Sequence, residues 1–178
     1  MVRGILSCAA GLLALAAFSL PALADESPIS FVSGPLAGAV AQDAKHDEEA
    51  LEVAGGRRLS DEALFESGDY IGWVDWSRLN LRYRWRDTGQ MDDLTEMVKR
   101  VFKASGVEGI TGGQDGLGGF ISQYRTFRLT GTRPMSCGVF GLHRRNDWIS
   151  GFACTPGQGT IPLRTIIEGL AVKDVLEP

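Results

Sequence analysis

Cys137 and Cys154 constrain the fold of this 178-residue chain more than any other pair of positions. Residues 135–143 (MSCGVFGLH) and 148–155 (WISGFACT) are rich in β-branched, aromatic and small residues, and read as two strands. Arg144, Arg145, Asn146 and Asp147 between them suit a tight turn. With Arg145 and Asn146 at the turn centre, Cys137 stands opposite Cys154, at a separation a disulfide tolerates. The same register sets Val139 opposite Phe152, Leu142 opposite Ile149 and His143 opposite Trp148. Apolar residues then fall on both faces, as in a hairpin inside a sheet with at least one face covered.

A disulfide needs an oxidising compartment, and the N-terminus supplies the expectation of one. Met1 to Ala24 (MVRGILSCAAGLLALAAFSLPALA) has one charge, Arg3, then an apolar run from Ile5 to Leu20 and small residues at Ala22 and Ala24. This is the layout of a secretory signal peptide cut before Asp25. Two other readings stand beside it. Ile5-Leu6-Ser7-Cys8 loosely imitates a lipoprotein box, but Cys8 precedes the apolar run instead of following it. An uncut anchor is barely long enough, since a span needs about 20 apolar residues. A single arginine argues against twin-arginine export. The expected address is therefore periplasmic or secreted, by the general secretory route, without a cofactor acquired beforehand.

Cleavage removes Cys8 and leaves Cys137 and Cys154 as an even pair. There is no C-x-x-C, and two cysteines with one nearby histidine make a poor metal set. The pair reads as structural, with no metal and no cofactor implied. Cleavage also leaves 154 of the 178 residues, enough for one domain with a core. Losing Arg3 takes the formal charge from −4 to −5, which does not favour a nucleic-acid partner.

Residues 25–58 read as a flexible acidic tether, broken at Ser27-Pro28, Ser33-Gly34-Pro35 and Gly55-Gly56. A short acidic helix could form within it over Gln42 to Val53. His46-Asp47-Glu48-Glu49 could touch a metal there, although a solvated segment is the simpler reading. Ser60-Asp61-Glu62 predicts the cap of a short helix over 61–66. Asp69 to Trp76 reads as a strand, and Leu79 to Arg86 alternates apolar with basic residues as a second. Residues 91–104 carry an apolar stripe (Met91, Leu94, Met97, Val98, Val101, Phe102) with acids early and bases late, predicting a helix.

Gly109 to Gly119 holds six glycines in eleven residues and reads as a flexible connector. It lacks the Gly-Lys-Ser/Thr ending of a phosphate loop. Phe120 to Leu129 reads as a strand. Thr160 to Gly169 predicts a second helix capped by Thr160, with Pro162 in its first turn. Residues 171–176 can add a terminal strand. The resulting expectation is one α+β domain over 59–178: an antiparallel sheet of about five strands, two main helices packed on one face, and one cross-strand disulfide.

No catalytic signature is present: no G-x-S-x-G, no H-E-x-x-H, no free cysteine beside a histidine. The main binding candidate is a basic strand face of Arg82, Arg84 and Arg86, extended by Arg78, Arg125 and Arg128. It would hold an envelope protein, an anionic glycan or lipid, or the chain's own acidic segment 43–52; against it stands an ordinary solvated strand face. His143 and Trp148 form a candidate ligand-contact pair, weighed against plain cross-strand packing. The leading functional expectation is a non-enzymatic binding or assembly module of the bacterial envelope. Its alternatives are a small secreted hydrolase of cell wall or glycan, using a carboxylate such as Asp115, and a secreted effector or virulence-associated factor.

Overall fold

The computed structural model describes residues 27–51, 55–80, 90–176 and 178. In chain order the elements are β1 (Ile29–Phe31), β2 (Ala41–Ala50), β3 (Arg57–Ser67), β4 (Tyr70–Leu79), α1 (Gln90–Val101), β5 (Gly106–Leu117), β6 (Phe120–Thr130), β7 (Met135–Arg144), β8 (Asp147–Pro156), α2 (Leu163–Glu168) and β9 (Leu170–Val172). β2 to β8 form one antiparallel sheet of seven strands in the order β2-β3-β4-β8-β7-β6-β5, and β1 pairs with β9 in a separate two-stranded sheet.

Three two-residue connections drive this layout. Gly68-Asp69 joins β3 to β4, Gly118-Gly119 joins β5 to β6, and Arg145-Asn146 joins β7 to β8. Gly118 and Gly119 both have positive φ (55° and 79°), which tight hairpins require and glycine adopts without a Cβ penalty. The central hairpin has the register expected from sequence. Cys137 faces Cys154, Val139 faces Phe152, Leu142 faces Ile149 and His143 faces Trp148. Cys137 and Cys154 are disulfide-bonded and fully buried, with 4.1 Å between their Cα atoms.

Alternation along these strands sends side chains to two separate cores. On one face, Cys137, Val139, Phe152 and Cys154 pack with Met91 and Val98 of α1. On the other, Phe140, Leu142, Ile149 and Ala153 pack with Leu163, Ile166 and Ile167 of α2, and with Ile29, Phe31, Leu170 and Val172 of the small sheet. Phe31 meets Phe65 edge to face at 5.0 Å, tying β1 to β3.

The expected fold class is overturned. The described residues are mostly β, with a seven-stranded antiparallel sheet and, among them, only two short helices, instead of an α+β sheet of about five strands. The helices also lie on opposite faces, because apolar residues at both even and odd positions of β7 and β8 leave two apolar surfaces to cover. Three local expectations account for the missing strands. Residues 42–50, read as an acidic helix inside a tether, belong to β2 and pair with β3. Residues 61–66, read as a capped helix, lie in β3, where Leu59, Asp61, Ala63 and Phe65 share one face. The glycine-rich stretch read as a connector is β5. Side chains of β6 cover glycines at its middle: a Cβ on Gly113 would lie 2.7 Å from the Tyr124 hydroxyl, and one on Gly112 would lie 3.0 Å from Arg125 Cγ. At the second helix, Pro162 and not Thr160 occupies the N-cap, since Ile161 accepts the Leu163 N–H in a turn of its own.

Candidate functional site

α1 covers β6, β7 and β8 on its face of the sheet. The outer part of that face, on β2, β3 and β4, carries polar side chains. Register places them together: Lys45 faces Glu62, Asp47 faces Ser60, Glu49 faces Arg58, and Glu62 in turn faces Asp75. They line a cleft of about 580 Å³, together with Glu48 and Ala50. Its charged lining is four acids that face into it (Asp47, Glu49, Glu62, Asp75) and two bases (Lys45, Arg58), whereas alternation turns the Glu48 carboxylate to the other face, where it accepts from Arg57 Nη1 at 2.9 Å.

Asp75 lies at the centre of the cleft's polar contacts. Burial pushes its carboxyl up to about 6, and the Glu62 and Asp61 carboxylates add to the rise. Arg58 and the Ser77 hydroxyl oppose it. The Arg58 guanidinium donates to Ser77 Oγ from Nη2 (3.0 Å) and Nε (3.3 Å), and Ser77 Oγ donates to Asp75 Oδ2 at 3.4 Å. Arg58 therefore acts on Asp75 partly through the hydroxyl. At the rim, Lys45 Nζ donates to Glu62 Oε1 at 2.5 Å, and this bond holds the lysine ammonium above its ordinary value. The opposite face is separate: there His46 Nδ1 and Asp61 Oδ1 lie 2.9 Å apart.

The arginines singled out from sequence that the structure describes do not form one strip. Arg82, Arg84 and Arg86 lie outside the described residues. Arg125 and Arg128 cannot extend one strip, because three positions along a strand put them on opposite faces. Arg125 pairs with Asp92 of α1, and Arg128 stands opposite Glu108 of β5. Arg78 is on the face opposite Asp75, where its Nε donates to Asp147 Oδ1 at 2.7 Å and its guanidinium lies 5.2 Å from the Trp76 ring.

His143 and Trp148 do stack, with ring centroids 5.8 Å apart and planes inclined by 11°. Trp148 is buried, and its ring packs beside Gly141 and Met91, so the stack belongs to the α1-side packing. His143 Nδ1 is buried there without a hydrogen-bond partner among the described residues. Asp115 accepts from Arg164 Nη1 at 2.7 Å in a narrow crevice between β5, β6 and α2. Among the described residues no group of three or more His, Cys, Asp or Glu side chains is arranged to hold a metal. No helix among them is long and apolar enough to cross a membrane.

Sequence reasoning missed the cleft because it requires β2 and β3 to be strands. One signal was available. Gly68-Asp69 separates two alternating runs, and a hairpin centred there puts Glu62 opposite Asp75. Comparison with protein-family models, curated proteins and solved structures finds no match to this chain.

Proposed function

We propose that this protein is a small exported, non-enzymatic binding module of the bacterial envelope that engages its partner through the β2–β4 cleft. The composition of the cleft carries the reading: four acids that face into it (Asp47, Glu49, Glu62, Asp75) against two bases, around about 580 Å³ of open space. Such a surface attracts a cationic group, as on a lysine- or arginine-rich segment of an envelope protein, and repels an anionic glycan or lipid. The signal-like N-terminus supports export, and the disulfide is compatible with it. N-terminal sequencing of protein from the periplasmic fraction should begin at Asp25. Calorimetric titration with a lysine-rich peptide should show salt-sensitive binding. Glu62→Gln with Asp75→Asn should weaken it by about tenfold or more, and Asp115→Asn should leave it unchanged. Peptide binding indifferent to the double substitution removes the cleft from the reading.

A second reading, a secreted hydrolase, rests on the facing carboxyls. Asp75, pushed up to about 6, can hold a proton beside Glu62, which accepts from Lys45, a pairing of carboxyls of the kind that acid–base hydrolysis uses. In that reading the working pair is Glu62 and Asp75, since Asp115 is engaged by Arg164. Turnover of peptidoglycan or model glycosides that Asp75→Asn abolishes supports it, and inactivity across such a panel eliminates it.

A further inference from the structure

The two edges of the seven-stranded sheet are defended differently. β2 carries Asp43, Lys45, His46, Asp47, Glu48 and Glu49, and is interrupted by a bulge between Gln42 and Lys45. Charge and irregularity of this kind block strand pairing. β5 has only two charged residues, Glu108 and Asp115, among its twelve, and neither lysine nor proline. Past its bulge between Glu108 and Thr111, the run Thr111 to Leu117 is regular. Among the described residues no strand pairs with its outer side.

The phase of the hydrogen bonds identifies which groups of β5 face outward. Cys137 and Cys154, 4.1 Å apart at Cα, have the close spacing of a non-hydrogen-bonded antiparallel pair. The bonds from Gly157 N–H to Pro134 O and from Leu79 N–H to Asn146 O fall on the phase this sets. Carried across β7 and β6, the alternation makes Gly113 and Tyr124 a hydrogen-bonded pair. Gly112, Gln114 and Gly116 then direct their N–H and C=O groups away from the sheet.

We propose that β5 pairs antiparallel with β5 of a second copy of this chain, about a two-fold axis at Gln114, the midpoint of the regular run. Gln114 then faces Gln114 of the second copy, and Gly112 faces its Gly116, so every outward group of the run meets another outward group. The charges suit a second copy. Glu108 stands opposite Arg128 and Asp115 is bonded to Arg164 within one protomer, and in this register Asp115 faces Gly113 instead of another acid. β2 of a second copy, charged along its length and bulged between Gln42 and Lys45, is a poor partner for β5, so the contact closes as a dimer and does not propagate.

Sedimentation velocity over a concentration series tests this on the full chain carrying Cys8→Ser. A reversible monomer–dimer equilibrium is expected. Gln114→Pro, which deletes an outward N–H and spares the bonds to β6, should abolish the dimer with little change in melting temperature. Gln114→Cys should form a disulfide-linked dimer on oxidation, whereas Gln42→Cys on the other edge should not. A monomer at every concentration that also fails to cross-link through residue 114 overturns the proposal. So does a dimer that survives Gln114→Pro, or an edge occupied only by an extended segment of a different protein.

Discussion

Glu62 of β3 stands directly opposite Asp75 of β4, and both line the cleft on the face where α1 packs further along the sheet. Burial first, and the facing Glu62 carboxylate second, favour a proton on Asp75. Asp75 titrates near 6 when folded, against 3.8 for the ordinary group. Its preference for the protonated form stabilises the fold fully below about pH 4. That contribution declines as pH rises through about 6, because the folded state binds the extra proton across this window. Allowing for partial exposure, the effect is about 1–2 kcal/mol. Asp75→Asn, which cannot ionise, should therefore gain about 2–6 °C in melting temperature relative to the parent between pH 4 and pH 7. Parallel melting curves for the two proteins across that range would rule this out.

The buried Cys137–Cys154 bond closes a loop across a sequence separation of 17. Loop-closure entropy assigns it about 3 kcal/mol. Replacing both cysteines with alanine should lower urea stability by about that amount while the circular dichroism retains its β character. A loss below about 1 kcal/mol would mean the unfolded chain holds this hairpin together without the bond.

The parts of the fold that were legible in sequence are those whose local chemistry agrees with their setting. The β7–β8 register followed from Arg145-Asn146 and the two cysteines, and α1 followed from its apolar stripe and charge gradient. β2, β3 and β5 were misread because tertiary pairing overrode local signals. Asp61 and Glu62 resemble a helix cap but sit in a strand, where their alternation assigns them to opposite faces. The glycines of β5 lack strand propensity, and Gly112 and Gly113 are covered by Tyr124 and Arg125 from the neighbouring strand. The cleft was invisible for the same reason, since Lys45, Glu62 and Asp75 come from three strands of which two were assigned otherwise.

The central strands are packed around missing side chains. A Cβ on Gly151 would lie 2.5 Å from the Trp73 carbonyl oxygen and 2.7 Å from Phe140 Cζ. Neither the backbone nor a fully buried ring can yield cheaply, so Gly151→Ala should destabilise by about 1–3 kcal/mol. Gly159 has open space around it, and Gly159→Ala should be neutral within about 0.5 kcal/mol. Chemical denaturation of both variants checks the contrast; equal stabilities would refute the packing argument.

Asp147 closes the β7–β8 hairpin and bonds across to β4. It is 8% exposed and accepts from Arg78 Nε at 2.7 Å and from Trp76 Nε1 at 3.4 Å. Removing this acceptor strands a buried indole N–H and leaves a half-exposed guanidinium beside it without its anion. Asp147→Ala should therefore cost about 2–3 kcal/mol, more than an exposed ion pair is worth. Asp147→Asn keeps an oxygen in place for the Trp76 N–H and should recover part of the loss. Arg78→Ala leaves Trp76 bonded and should cost less than Asp147→Ala. Urea unfolding of the three variants gives the order, and the Arg78 substitution proving the most damaging would show that the charge pair, and not the buried indole bond, holds β4 to the hairpin.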